Sequence, residues 1–104
     1  MTIDERIQHE IDTHRIMLYM KGTPELPMCG FSQTVVEILK RLNVEFASSD
    51  VLKDMEVREG IKKFSDWPTI PQLYVDGEFI GGCDICVEMY QSGELEKLLK
   101  GSDS

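Results

Sequence analysis

The sequence is 104 residues long and carries a formal charge of −8 at neutral pH, from 19 acidic and 11 basic residues. This length predicts one small domain with its own core, and the acidity disfavours a nucleic-acid partner because phosphate contacts need a basic face. Three cysteines are a poor disulfide framework. No apolar run approaches the ~20 residues of a membrane span or forms a signal peptide, so we expect a cytoplasmic protein with free thiols and no membrane partner.

The first part of the chain predicts a helix followed by a buried strand. Thr2-Ile3-Asp4-Glu5 is a capping-box pattern, and isoleucines recur every four residues at positions 3, 7 and 11. These signals predict a helix from Thr2 to about His14. The apolar run from Ile16 to Met20 predicts a strand buried on both faces. Two prolines and a glycine in residues 21–27 then favour a loop.

This loop leads to Cys29, just before an amphipathic pattern from Gln33 to Leu42 that predicts a helix. A helix N-terminus favours the thiolate, which is the form of cysteine that attacks disulfides and ligates metals. Ser32 stands where a dithiol redox protein would carry the second cysteine of a C-x-x-C. Asn43 predicts the end of the helix, and Val44 to Ala47 predict a second strand, parallel to the first in a right-handed βαβ unit.

A further helix is predicted after this unit. Asp54 is placed to cap it, and Val57, Ile61 and Phe64 have the spacing of one buried face. Prolines at positions 68 and 71 then interrupt regular structure. The predicted helix therefore ends before this segment.

The last part of the chain predicts a β-hairpin and helical structure. The Asp76-Gly77 pair is a strong hairpin turn signal between the predicted strands 72–75 and 78–80. Helical spacing runs from Asp84 to Gln91 and, after a break near Gly93, through three leucines. The order is therefore helix, βαβ, helix, hairpin, helix.

This order predicts an α/β protein with the thioredoxin-like fold. A four-stranded mixed sheet flanked by helices on both faces accommodates the elements with short connections. That arrangement places Cys29 at the first turn between a strand and a helix. We expect a single domain over residues 1–104, with a short polar tail from about residue 101.

Four separated motifs surround or follow Cys29 in order. They are Lys21-Gly22-Thr23-Pro24-Glu25 with Pro27, Cys29-Gly30-Phe31-Ser32, Trp67-Pro68-Thr69-Ile70-Pro71-Gln72, and Gly81-Gly82-Cys83-Asp84. Together they make the sequence resemble the single-domain bacterial monothiol glutaredoxins of the CGFS class, over nearly the whole chain. Four ordered motifs are far more specific than one four-residue match.

The resemblance implies a glutaredoxin domain that binds glutathione and a [2Fe-2S] cluster. It implies a homodimer bridged by the cluster and glutathione, a heterodimer with a BolA-family protein, and transfer of the cluster to acceptor apo iron–sulfur proteins. The associated roles are iron–sulfur cluster biogenesis and iron homeostasis. It also implies little or no classical disulfide reductase activity.

The resemblance further implies roles for individual residues. Cys29 would ligate the cluster together with a second subunit, and would be the nucleophilic thiol if the chain is redox-active. Lys21 and Arg58 would meet the glycine carboxylate of glutathione. A cis peptide between Ile70 and Pro71 would expose backbone groups for pairing with it. Cys83 and Asp84 would bind its γ-glutamyl end.

The residues alone leave alternatives open for several of these roles. Lys21 and Arg58 could be ordinary solvated charges, and Asp84 could be a helix N-cap. The segment Cys83-Asp84-Ile85-Cys86 is a C-x-x-C that could serve redox or metal chemistry. Cys86, however, has the helical spacing of a small buried residue.

Two functions from different classes follow from these observations. A [2Fe-2S] cluster takes four thiolate-type ligands, whereas one chain offers three cysteines, of which Cys29 alone has an activated setting. By the resemblance, two copies of Cys29 and two glutathione thiols would supply four ligands in a cluster carrier. The alternative is a glutathione-dependent monothiol thiol–disulfide oxidoreductase that removes glutathione from mixed disulfides. The loop at residues 22–26 disfavours it, since by resemblance this loop accompanies poor reductase turnover.

Overall fold

The computed structural model describes residues 1–100, so the predicted tail at 101–104 lies outside the described residues. The elements are α1 (Ile3–Thr13), β1 (Ile16–Met20), α2 (Gly30–Arg41), β2 (Ala47–Asp50), α3 (Met55–Ser65), β3 (Gln72–Val75), β4 (Glu78–Gly81), α4 (Cys83–Ser92) and α5 (Glu94–Lys100). Among the described helices, none has the length and apolarity needed to cross a lipid bilayer.

The four strands form one mixed sheet in the order β2-β1-β3-β4. Strand β1 pairs parallel with β2 and antiparallel with β3, and β3 pairs antiparallel with β4. Asp76 and Gly77 have φ angles of 52° and 82°, as a type I′ hairpin turn requires. The predicted βαβ unit, hairpin and thioredoxin-like fold are confirmed.

The central strand β1 is buried on both faces, as its apolar run predicts. Leu18 and Met20 join a hydrophobic cluster with residues of α2, α4 and α5, whereas Met17 and Tyr19 join a cluster with residues of α1 and α3 on the opposite face. Burying one such side chain stabilises the fold by roughly 1.5–3 kcal/mol. The sheet is thus held from both sides, which fixes the end of β1 next to the loop that leads to Cys29.

Local signals place the helix starts close to their predicted positions. Thr2 and Glu5 make the predicted capping box at the start of α1, and the Asp54 side chain accepts a hydrogen bond from the Val57 N–H at 3.2 Å at the start of α3. Helix α2 begins at Gly30, with Cys29 as its N-cap residue. The helix starts three residues before the apolar pattern from which it was predicted. Cys29 is therefore closer to the positive N-terminal end of the helix dipole than the pattern alone indicates.

The predicted position of the second strand is wrong. Residues 44–47 were expected to form it, but β2 runs from Ala47 to Asp50. Val44 and Phe46 instead pack against the hydrophobic cluster of α2 before the strand begins. The polar segment becomes an edge strand because it pairs with β1, with Asp50 opposite Met20, and this non-local pairing outweighs local hydrophobicity.

Candidate functional site

A cavity of about 460 Å³ opens beside Cys29, where β1, α2, α3 and α4 approach one another. Every residue that the resemblance implicates lines this cavity: Lys21, Cys29, Arg58, Ile70, Pro71, Cys83 and Asp84. These residues come from five separated places in the chain. The fold therefore brings the sequence motifs together around one thiol.

The environment of Cys29 stabilises its thiolate. The backbone N–H of Ser32 is the main group that lowers the pKa of Cys29 below its ordinary value, and the N–H of Phe31 and the charge of Lys21 act in the same direction. Partial burial opposes this shift but does not cancel it. Cys29 is half-buried rather than enclosed, so the thiolate can reach a partner or ligand.

We expect alkylation of Cys29 by iodoacetamide to persist as the pH falls below the pKa of an ordinary thiol. Its lowered pKa keeps the reactive thiolate populated at lower pH. Substitution Lys21→Gln should raise the midpoint of the rate profile, because it removes an attractive positive charge. Mass spectrometry of the Cys29 and Cys83 peptides measures the alkylation rate of each thiol against pH. Cys83 is the comparison, because burial raises its pKa. Coincident profiles for the two thiols would contradict this assignment.

Ser32 occupies the position of the second cysteine of a C-x-x-C, and it also has a structural role. Its side chain is fully buried, and its Oγ accepts a hydrogen bond from the Lys21 backbone N–H at 3.1 Å. This bond ties the end of β1 to the first turn of α2. Cys29 is thereby held between two anchored segments.

The loop before Cys29 is closed by its own backbone. The N–H groups of Thr23 and Leu26 donate to each other's carbonyl oxygens at 3.2 and 3.0 Å, and the Gly22 N–H donates to Asp50 Oδ1 at 2.9 Å. Gly22 has a φ of 89°, a conformation that glycine adopts at no steric cost. The loop therefore has a defined shape as it delivers the chain to Cys29.

Three cations line the cavity of this strongly acidic chain: Lys21, Arg58 and Lys62. Among residues 1–100, Arg58 Nε is the one buried side-chain nitrogen or oxygen without a hydrogen-bond partner. A buried N–H of a guanidinium is costly to leave unpaired and is a strong donor to carboxylates. The cavity is thus suited to an anionic ligand.

Lys62 is a site residue that the sequence motifs do not identify. It lies four residues after Arg58 on α3, and this spacing places both on one helix face. Its ammonium group is 3.7 Å from the Glu59 carboxylate, and about 29% of its side chain is exposed. The helical spacing from Arg58 was the available signal.

The segment between α3 and β3 forms one wall of the cavity. Trp67, Pro68, Thr69 and Ile70 line it, and the peptide between Ile70 and Pro71 is cis, as the resemblance implies. The Trp67 indole packs against Phe79, with 5.7 Å between ring centroids. This wall, residues 67–70, lies against α4 as well, since a Cβ at Gly82 would lie 3.3 Å from the Trp67 ring nitrogen.

The start of α4 differs from the expectation that Asp84 could cap this helix. The N-cap is Gly82, without a side-chain capping bond, and Cys83 already belongs to the helix. The N-cap alternative for Asp84 is therefore wrong.

The two thiols of the C-x-x-C segment, Cys83 and Cys86, are both free. Burial raises the pKa of Cys86 to about 12 and also raises that of Cys83. This pair lacks the low thiol pKa that redox pairs and metal ligands favour.

Residues 1–100 contain no group of three or more histidine, cysteine or acidic side chains placed to hold a metal ion. Cys29 is therefore not part of such a group within the described residues.

Comparison with known proteins gives consistent matches. The family profile described as Glutaredoxin matches residues 16–80. A protein named probable monothiol glutaredoxin 2 from Rickettsia typhi is 61% identical over 94 residues, which cover 90% of this chain and 85% of that protein.

Solved structures show the same fold. Reduced poplar apo GrxS14 has a TM-score of 0.82 and 51% identity, over 94% of this chain and 90% of that one. A buckwheat glutaredoxin, solved as a complex with glutathione, has a TM-score of 0.84 at 18% identity, over 94% of this chain and 87% of that one. At that identity the second likeness concerns the fold.

Proposed function

The chain belongs to the glutaredoxin family and resembles its single-domain monothiol members, and on this basis we propose that it carries a [2Fe-2S] cluster with glutathione. The cluster is cargo, held between two copies of the chain and passed to acceptor apo iron–sulfur proteins. This function belongs to iron–sulfur cluster biogenesis and iron homeostasis.

The inventory of thiols carries the proposal. A [2Fe-2S] cluster takes four thiolate-type ligands, but Cys29 is the one cysteine in residues 1–100 whose pKa is lowered. Two chains contribute two Cys29 thiolates, and two glutathione molecules contribute the other two ligands. Ligands that can dissociate suit a carrier, because a cluster caged by one chain would be hard to release.

The cavity supports glutathione as the external ligand. Lys21 and Arg58 supply positive charges for its glycine carboxylate, with Lys62 beside them. The exposed Asp84 carboxylate can pair with the ammonium group at the γ-glutamyl end. Backbone groups beside the cis peptide can pair with the tripeptide as an added strand does. The buckwheat glutaredoxin complex is a precedent for this ligand on the same fold.

An apolar surface around Cys29 supports its burial against a second molecule. Leu26, Met28 and Phe31 are 67%, 61% and 62% exposed, although such side chains usually avoid water. Two chains that each carry a charge of −8 repel one another. Dimerisation would therefore depend on the cluster and glutathione, and a BolA-family partner would use this same surface.

Anaerobic reconstitution with iron, sulfide and glutathione tests the proposal. We expect a [2Fe-2S] absorption spectrum, about one iron per chain and a dimeric mass, with none of these when glutathione is omitted. Visible absorption, iron assay and sedimentation measure the three properties. A colourless monomer under all conditions would overturn the carrier function.

The second candidate function is removal of glutathione from mixed disulfides, which the lowered pKa of Cys29 favours. The Cys29 thiolate would attack the glutathione sulfur, form a Cys29–glutathione disulfide and release the substrate as a thiolate. A second glutathione thiolate would then release oxidised glutathione and regenerate Cys29. Brisk turnover of a glutathionylated peptide by the cluster-free monomer would favour this function over the first.

Substitution Ser32→Cys is expected to weaken cluster retention. Ser32 lies in the first turn of α2, three residues after the N-cap residue Cys29, so a thiol at this position can form a competing disulfide. The matched control is Ser32→Ala, which removes the hydroxyl without adding a thiol. We expect a several-fold shorter half-life of the visible absorption in air for Ser32→Cys than for Ser32→Ala. Equal half-lives would count against the proposed effect of a second thiol.

A further inference from the structure

We propose that Gln72 is a positioning residue for the glutathione site, because its buried amide holds the cavity wall at residues 67–70 in place. This inference rests on the proposed function for the identity of the ligand. The placement of the wall is itself independent of any ligand. Gln72 is the first residue of β3 and is not among the residues that line the cavity.

The Gln72 side chain is fully buried, and both its amide nitrogen and its amide oxygen make hydrogen bonds. Its Nε2 donates to the carbonyl oxygens of Trp67 at 3.1 Å and Thr69 at 3.2 Å. Its Oε1 accepts from the Tyr74 hydroxyl at 3.1 Å. Burial raises the pKa of Tyr74 to about 12, so this hydroxyl remains a neutral donor at neutral pH. One amide thus links β3 to two points of the wall.

The wall depends on these bonds because it has little regular structure of its own. Two prolines, Pro68 and Pro71, lack the N–H groups with which a helix or strand would satisfy neighbouring carbonyls. Buried polar groups without partners are destabilising, so the buried Gln72 amide nitrogen itself needs these two carbonyl oxygens as acceptors. The Trp67 N–H also donates to the Lys62 carbonyl oxygen at 3.1 Å, but Thr69 is joined to β3 through the Gln72 amide. An apolar side chain of the same length would fill the space and lose both bonds from this amide to the wall.

The expected functional effect is confined to ligand binding. Residues 67–70 line the same cavity as its three cations, so a displaced wall would loosen the fit around a tripeptide bound there. The environment of Cys29, in contrast, comes chiefly from backbone N–H groups at the start of α2. Loss of the Gln72 amide should therefore weaken glutathione binding without changing the reactivity of Cys29.

Substitution Gln72→Met tests the proposal, since methionine has a similar length and no amide. Trp67 is the single tryptophan of the chain, so acrylamide quenching of its fluorescence reports the wall directly, without any ligand. We expect stronger quenching, a glutathione Kd raised by about tenfold through lost preorganisation, and an unchanged alkylation rate for Cys29. The matched control is Tyr74→Phe, which removes the bond to Oε1 and leaves both wall bonds, and should change neither quenching nor Kd.

The outcomes separate this proposal from the proposed function. If Gln72→Met only lowers the urea midpoint, with quenching and Kd unchanged in the folded protein, the residue is merely a core residue and the proposal fails. Equal quenching changes in Gln72→Met and Tyr74→Phe would also overturn it. If Gln72→Met does not fold, Gln72→Asn replaces it, because the shorter amide cannot reach both carbonyls. If the wild type does not bind glutathione, the proposed function fails, whereas quenching still decides whether Gln72 holds the wall.

Discussion

Replacing Cys29 with serine is expected to abolish both cluster binding and glutathionyl exchange while the chain stays folded. Cys29 is the cysteine whose thiolate is stabilised in the described chain, and serine is a far weaker nucleophile and iron ligand at neutral pH. Cys29 is also half-exposed at the N-cap of α2, and serine is a preferred N-cap residue. Visible absorption after reconstitution and release of glutathione from a labelled peptide should both fall to background.

The other cysteines provide the comparison for this result. Cys86→Ala removes a buried thiol that takes no part in the cavity, so its effect should be a loss of roughly 1 kcal/mol of stability with the cluster retained. Cys83→Ser alters the cavity and should change glutathione affinity without removing the cluster. A Cys29→Ser protein that still reconstitutes with a full spectrum would show that another thiol is the ligand.

Substitution Gly22→Ala is expected to destabilise the protein by about 3 kcal/mol and to disturb the presentation of Cys29. Gly22 has a φ of 89°, and a Cβ there would lie 2.5 Å from the Leu26 carbonyl oxygen and 2.7 Å from the Met28 nitrogen. Both are backbone atoms that cannot turn aside as a side chain can. The loop must therefore shift, although its bond to Asp50 holds it against β2.

A second glycine offers the matched control for this prediction. A Cβ at Gly30 meets nothing within 4 Å, so Gly30→Ala should alter stability by less than about 1 kcal/mol, and its higher helix propensity acts in the stabilising direction. Urea unfolding of both variants at one pH measures the difference. A Gly22→Ala midpoint equal to that of the wild type would show that the loop has no need of the positive φ.

The parts of the fold that depend on local signals were predictable from the sequence. The apolar run of β1 and the Asp76-Gly77 turn place their elements correctly, because burial and turn chemistry leave a pattern within a few residues. Strand β2 was misplaced because it is polar and exists through pairing with β1. Such a pairing leaves no pattern in its own residues.

The candidate site was likewise predictable in part: sequence motifs indicate which residues belong to it, but they do not show which of its side chains are buried. The four motifs, with the family resemblance that they carry, indicate Lys21, Cys29 and Arg58, and the fold brings these residues to one cavity. They do not distinguish a buried glutamine from an exposed one, so the bonds that Gln72 makes are visible only in three dimensions. Lys62 was missed for a related reason, since a lysine on an amphipathic helix looks like an ordinary solvated charge.

The buried Ser32 hydroxyl bears on how such proteins diverge. A cysteine at this position differs by one atom, sulfur in place of oxygen, and would occupy the same pocket beneath the first turn of α2 with the Lys21 N–H still nearby. The scaffold therefore does not by itself forbid a second thiol. Whether the site has one thiol or two is therefore decided by a single side chain, and the consequence of that choice is chemical rather than architectural.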